Sequence, residues 1–364
     1  MKVDILVVGA GINGLSTAWA LLRRGVRVGL VEQFHVGHDR GSSHGASRIT
    51  RSAYADPVYV RLMQVAHGEA WPRLEAEAGQ VLVHKRDGCF FGPRTGKVWS
   101  GYADTVATGG VDVERIDVAE ARRRFPAFVF DGDWGVLHDR TAGLVAAADT
   151  IAALARLVSA RAQVWEETQV HAVDAAGAET SRGRIDAERV IVTAGSWTGR
   201  LLPRLAPALS PIRQTVAYLD LEGDHTTMPV WACLFDDPND FYYGLPPFGR
   251  PGVKVARHRT SGRRDDPDEV AGEGDVADVR AFVAEHFAAP VRGVLATERC
   301  LYTCTDDEGF VLDVVEGITI GAGFSGHGFK FGPLTGQLLA ELALDGRTTV
   351  PAFEEARARF RCAL

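Results

Sequence analysis

The sequence predicts a two-domain α/β (α+β) protein, in which a discontinuous Rossmann-like unit of the dinucleotide-binding type carries an inserted β-sheet-rich domain. Three observations lead there. A strand, a glycine turn, a helix and a second strand fill the N-terminus; strands rich in aromatics and proline begin after about residue 210; and the last segment returns to a buried strand, a glycine-rich turn and a helix. A chain of 364 residues is long for a single core, which suits two domains.

The elements follow in order. "VDILVVGAG" reads as a short parallel strand buried on both faces, "GLSTAWALLRRG" as the helix after it, and "VRVGLVEQF" as the next strand. Together they have the size of a nucleotide-binding βαβ element. "YVRLMQVAHGEAWPRLEAEAG" has helical periodicity, whereas "VLVHK" and "GCFFG" read as strands. "LVAAADTIAALARLVSARA" reads as one long apolar helix and "RVIVTAGSW" as a buried strand entering a glycine turn. "TVAYLDL", "DFYYGLPPFG" and "GVKVARH" are the later strands, and "TSGRRDDPDEVAGEGD" has the composition of a solvated loop. "GITIGAGF" and "LTGQLLAELALDG" close the chain. The first domain is expected to take residues 1–78, 142–208 and 298–364, and the second residues 79–141 and 209–297.

Composition excludes several function classes. Hydrophobic residues at 46% and charged residues at 24% describe an ordinary globular protein. The net charge of −7 comes with arginines scattered among acids, so neither nucleic acid nor a membrane surface is an expected partner. No apolar run reaches the roughly 18 residues a membrane helix needs. The five cysteines, Cys89, Cys233, Cys300, Cys304 and Cys362, form no CxxC pair and no metal-ligand spacing with histidine. No metal is expected, and the compartment expected is the cytoplasm.

Gly9, Gly11 and Gly14 make a GxGxxG turn between strand and helix, with Ile12 and Asn13 inside it and Glu32 and Gln33 closing the second strand. The glycines allow a tight turn and close approach of a pyrophosphate, the helix start offers unpaired N–H groups, and Glu32 is placed to accept from ribose hydroxyls. A glycine turn that only lets a helix pack is the alternative. "GSSHGASRITR" has two readings as well. It is either a basic surface loop, or small residues that let backbone approach a flat ring system beside a guanidinium.

With "FYYGLPPFG", "GVKVARH", "RCLYT" and "GAGFSGHGFKF" following it in order, that segment resembles the monomeric sarcosine oxidase family, which also contains N-methyltryptophan and pipecolate oxidases. The resemblance runs from end to end. It implies a discontinuous FAD domain, a β-sheet substrate domain and an isoalloxazine ring between them. FAD contacts are implied for Gly9, Gly11, Ile12, Asn13, Gly14, Glu32, Gln33, Ser43, Ser47, Arg48, Val170, Ala194, Gly195, Trp197, Gly323, Gly326, His327, Gly328 and Lys330, with a thioether from Cys300 to the flavin 8α carbon. Taken alone, Cys300 reads as a small buried hydrophobe; Cys304 has no matching role.

The resemblance also implies that Lys254 stands where oxygen is reduced, and that Arg51 and Lys330 hold the substrate carboxylate, the first as a fork and the second as a point charge. Lys2, Lys85 and Lys97, the other lysines, read as surface residues. Arg48, His258 and Tyr243 take catalytic roles by the same resemblance, and Tyr302 and Leu234 line the substrate cavity. Ser43 and Ala46 stand where close relatives carry histidine and aspartate, and Thr50 replaces an aliphatic beside Arg51, which leaves the substrate open. The implied activity is a monomeric FAD-dependent oxidase of a small secondary or N-methyl amino acid, giving an imine and, with O₂, hydrogen peroxide. Three alternatives remain: a cyclic imino acid or secondary-metabolite intermediate as substrate, electron transfer to a carrier instead of O₂, and a flavin-binding protein without turnover.

Overall fold

The computed structural model describes residues 2–237, 240–260, 262, 264–269 and 274–362. Five parallel strands form its first sheet, in the order Gln163–Trp165, Val28–Val31, Lys2–Val8, Gly183–Val192, Ile318–Ala322. Parallel strands are covered on both faces and so read as unbroken apolar runs. Alternation from Ile5 to Val8 shows both covers: Ile5 and Val7 enter the core under the helices, while Leu6 and Val8 enter a second core with Leu205 and Leu209. The helices are Ile12–Arg23, Ala147–Ser159 and Gly332–Asp345. Antiparallel strands Val170–Asp174, Gly177–Thr180 and Val311–Val315 complete the sheet.

The second sheet has eight strands, ordered Val291–Cys304, Ser210–Leu221, Val253–His258, Phe241–Leu245, Val230–Cys233, Gly88–Pro93, Trp134–Asp139, Val113–Ile116. Helix Ala277–His286 closes one of its faces with an aromatic core, where Phe282 stacks on Tyr242 at 4.1 Å and on Trp231 at 5.8 Å. Ser47–Thr50, Gly143–Ala146 and Val83–Lys85 make a small third sheet.

Three sequence expectations change. The long helix expected over the Ala66 region is Pro57–Val65 and Trp71–Ala78 joined by a π turn, Ala66–Ala70, in which the Trp71 amide donates to the Ala66 carbonyl. Pro72 has no N–H for the ordinary i−4 bond, and the ladder slips by one residue there. The apolar run expected to be all helix begins as the strand Gly143–Ala146, because its backbone pairs with Ser47–Thr50 and Val83–Lys85. Residues 261, 263 and 270–273 of the charged loop lie outside the described residues. Its described part is anchored: Asp265 faces Arg213 at 3.7 Å, Asp266 and Asp268 pair with Arg200, and Trp197 Nε1 donates to Asp268 at 2.7 Å. Among the described residues no helix is long and apolar enough to cross a membrane.

Candidate active site

A cavity of about 670 Å³ opens at the carboxyl ends of the parallel strands, where Val8, Val31 and Thr193 line it, and continues along the second sheet over Val216, Lys254, Cys300 and Tyr302. Ligands of open α/β sheets bind at this end of the strands.

The glycine turn shapes one end. Gly9 has φ of +95°, and a Cβ on Gly14 would fall 1.8 Å from the Gly9 carbonyl oxygen, so the turn closes only with glycine at both places. Gly14 therefore serves the close packing of the helix start on the strand end and does not itself line the cavity. The first helical amide, Ile12, donates to Ser43 Oγ at 3.0 Å. Glu32 is buried and its carboxylate is aligned by the amides of Ala10 at 2.7 Å and Phe34 at 3.0 Å. Asn13 Oδ1 and His44 Nε2 are buried on this wall with no hydrogen-bond partner among the described residues. Burial has a cost for such atoms that a bound polar ligand would remove. A turn closed to side chains, a helix start and unmet polar atoms fit the phosphates and sugar of a dinucleotide.

Gln33, Ser47, Val170, Ala194, Gly195 and Trp197 also line the cavity, as do Gly323, Gly326, His327 and Gly328. Gly326 has φ of +78°, and a Cβ there would stand 2.1 Å from the Tyr302 ring. His327 lies between Tyr59 and Phe310, and burial lowers its pKa to about 3, so its ring is neutral. His44 is likewise brought down to about 4 by burial and then by Arg48.

The cations form two groups on the second part of the wall. Arg51 donates to the Ala53 carbonyl and, at 3.1 Å, to the Tyr102 hydroxyl, and its guanidinium lies 4.3 Å over the Tyr54 ring. Lys330 Nζ donates to the His327 carbonyl at 3.0 Å and lies 5.7 Å from the same Tyr54 ring. Both are buried, and among the described residues neither has an ion-pair partner. Burial, then Arg51 and Arg48, hold the Lys330 pKa well below the ordinary lysine value.

Lys254 belongs to the second group. Its Nζ donates to the Ser47 carbonyl at 2.9 Å, and burial followed by repulsion from Arg48 brings its pKa down to about 7. Arg48 itself is fixed by the carbonyls of Ser47, Ser42 and His44 at 2.6 to 2.9 Å. Cys300 is buried at the wall beside them. Burial pushes its thiol up, against the pull of Arg48 and Lys254.

Tyr243 and Tyr302 share a hydrogen bond of 3.2 Å between their hydroxyls, and His258 stands 5.4 Å from the Tyr302 ring and 3.6 Å from the Glu308 carboxylate. Leu234 is the other predicted residue the cavity does not reach. It is fully buried in the cluster containing Phe90, Trp99 and Tyr102, and its amide bonds the Phe91 carbonyl at 2.7 Å.

Sequence reasoning missed Tyr102, Glu298 and Glu308 on the wall and Asp139 behind it. Asp139 accepts from the amides of Ser52 and Ala53 at 2.9 and 3.0 Å, which fixes the backbone beside Arg51. Glu298 had a usable signal: it is two residues before Cys300, and alternation puts Glu298, Cys300 and Tyr302 on one face of their strand.

The FAD dependent oxidoreductase family matches residues 4–342. A monomeric sarcosine oxidase of Arthrobacter sp. (strain TE1826) is 31% identical over 95% of this chain and 93% of its own length. The peroxisomal sarcosine oxidase of Mus musculus is 33% identical over 94% of this chain and 92% of its own. In structure, NikD, an unusual amino acid oxidase essential for nikkomycin biosynthesis, superimposes in its open form with a TM-score of 0.84 at 25% identity, covering 100% of this chain and 98% of that one. The chain is therefore a member of the FAD-dependent oxidoreductase family, on the branch of the sarcosine oxidases.

Proposed function

We propose that the chain oxidises a small secondary or N-methyl amino acid of the sarcosine type to an imine, with O₂ as the acceptor and hydrogen peroxide as co-product. The observation that carries this reading is the pair Arg51 and Lys330, buried cations of one cavity wall with no carboxylate in ion-pair contact among the described residues. A substrate carboxylate supplies the missing anion.

Bound FAD supplies the chemistry of a two-electron acceptor, taking a hydride equivalent from carbon and yielding to oxygen. The GxGxxG turn, Asn13, Ser43 and Glu32 would hold its phosphates and ribose, and Cys300 would hold it covalently through a thioether. The chain's own residues bind and tune. Only an unprotonated amine releases hydride readily, and the positive field of Arg48, Arg51, Lys254 and Lys330 disfavours an ammonium in the cavity. Tyr243, Tyr302 and His258 would enclose the substrate and orient its nitrogen. Lys254, fixed on the Ser47 carbonyl, would stabilise negative charge developing on oxygen.

The division at residues 78/79, 141/142, 208/209 and 297/298 is supported by sheet membership, since the strands between 88 and 139 and between 210 and 258 all join the second sheet; Val291–Cys304 runs across the last boundary. A cytoplasmic monomer is the form we propose; the five free cysteines and the name of the Arthrobacter relative support it.

The test is an aerobic panel of sarcosine, other N-methyl amino acids, proline and pipecolate with peroxide detection, repeated anaerobically. Peroxide in step with substrate loss is expected from secondary amino acids. Anaerobic bleaching of the flavin without aerobic peroxide would reassign the chain to carrier-linked dehydrogenation, and an ester oxidised as well as its acid would remove the role given to Arg51 and Lys330.

A further inference from the structure

Lys254 is a buried ammonium among other cations, and something must keep its charge. Arg250 faces it from the preceding turn, Arg48 from the strand Ser47–Thr50 with His44 just before it, and Tyr218 from its cross-strand partner position. Cys300 and Glu298 face it from Val291–Cys304. Among the groups that act most strongly on Lys254, Glu298 is the carboxylate.

That carboxylate is built in. Its side chain is 21% exposed, accepts from the Tyr218 hydroxyl at 2.7 Å and pairs with Arg250. Arg250 in turn lies 4.0 Å over the Tyr218 ring, with Lys254 Nζ 5.9 Å from the same ring. Glu298 sits on the cavity side of its strand in the row it shares with Cys300 and Tyr302. Burial opposes its ionisation, yet Tyr218, Lys254 and Arg250 hold its carboxyl below the usual range.

We propose that Glu298 is the counter-ion of Lys254, a positioning residue whose fixed carboxylate favours the charged form of the ammonium at the cavity wall. Its consequence for turnover rests on the reading of Lys254 as the oxygen-side cation. Tyr218 and Arg250 keep the carboxylate from collapsing onto the ammonium, so no direct ion pair forms and Lys254 stays on Ser47 with its charge available to the cavity.

The chain has five lysines, Lys2, Lys85, Lys97, Lys254 and Lys330, so lysine labelled at the ε carbon gives a titration readable by NMR in the flavin-loaded protein, assigned with Lys254→Met. In Glu298→Gln the Lys254 midpoint should fall by about one pH unit, tenfold in the protonation equilibrium, and Glu298→Asp should restore most of it. The alkaline limb of flavin reoxidation by O₂ should move to lower pH with it. An unchanged or raised midpoint in Glu298→Gln overturns the proposal. A midpoint that falls while the reoxidation limb stays would uphold the counter-ion and overturn the oxygen-side role instead. Should Glu298→Gln not fold, Arg250→Gln on the half-exposed turn removes a repelling cation and leaves the carboxylate: the midpoint should rise, and a fall or no change rejects the idea.

Discussion

Lys254 and Lys330 are both buried ammonium groups on the wall of one cavity, yet their surroundings differ in kind. Around Lys330 stand Arg51, Arg48 and aromatic rings, with no acid in ion-pair contact among the described residues. Around Lys254 the chain carries a carboxylate of its own, Glu298. On the reading proposed above, the first lysine would be completed by an anion from outside and the second by one from inside. A cation left incomplete recognises ligand, whereas a cation completed internally can keep its charge through a reaction cycle whether or not substrate is bound.

The largest effect should come from breaking the incomplete pole. Lys330→Ala or Arg51→Ala leaves a substrate carboxylate facing half of its partners, a loss of about 3–5 kcal/mol for a buried pair, so a small carboxylate inhibitor should weaken by about two to four orders of magnitude. Equal inhibition of variant and parent in a competition assay would refute the assignment. Next, Lys254→Met keeps length and removes charge. Stopped-flow reoxidation by O₂ should fall about 10²- to 10³-fold, while anaerobic reduction by substrate proceeds. Crippled reduction with normal reoxidation would move Lys254 to the substrate side and erase the contrast.

A third prediction uses pH. Burial, then repulsion from Arg48, brings the pKa of folded Lys254 down to about 7, below the ordinary lysine value of 10.5 that the unfolded chain regains. Between those values the unfolded chain binds more protons, so this group makes stability rise with pH across that window. Thermal unfolding of flavin-free Cys300→Ser protein should show that rise, and adding Lys254→Met should flatten it; identical slopes would contradict the assigned burial. The smallest effect belongs to Tyr102→Phe. It removes the hydroxyl that accepts from Arg51 at 3.1 Å and leaves a buried donor unmet, about 1–3 kcal/mol, so KM should rise roughly tenfold with kcat nearly unchanged.

How far the sequence reveals this molecule follows from how local each feature is. The parallel strands are legible because burial on both faces leaves an unbroken apolar run, and the turn at Gly9 because its steric demand is met within a few residues. The π turn is written in Pro72 but hidden by a periodicity that continues through it. Lys254, Cys300 and Lys330 are legible through resemblance, which aligns positions and not side-chain surroundings. Leu234 shows the limit: its position matches, but its side chain is fully buried beside the wall and does not line the cavity. Tyr102 and Asp139 act on Arg51 from segments that no local pattern ties to it.

The cavity wall draws residues from the segments 8–13, 31–33, 41–51, 193–197, 298–303 and 323–330, spread over the length of the chain. No fragment contains it. The yellow colour of the holo-protein is therefore a readout of finished assembly: chains stalled before the last strand and helix dock should emerge colourless, however well their N-terminal βαβ element has formed. A pale variant accordingly reports on the maturation of the entire protein as much as on the residue exchanged, and the ratio of flavin to polypeptide measures the fraction of chains that completed the journey.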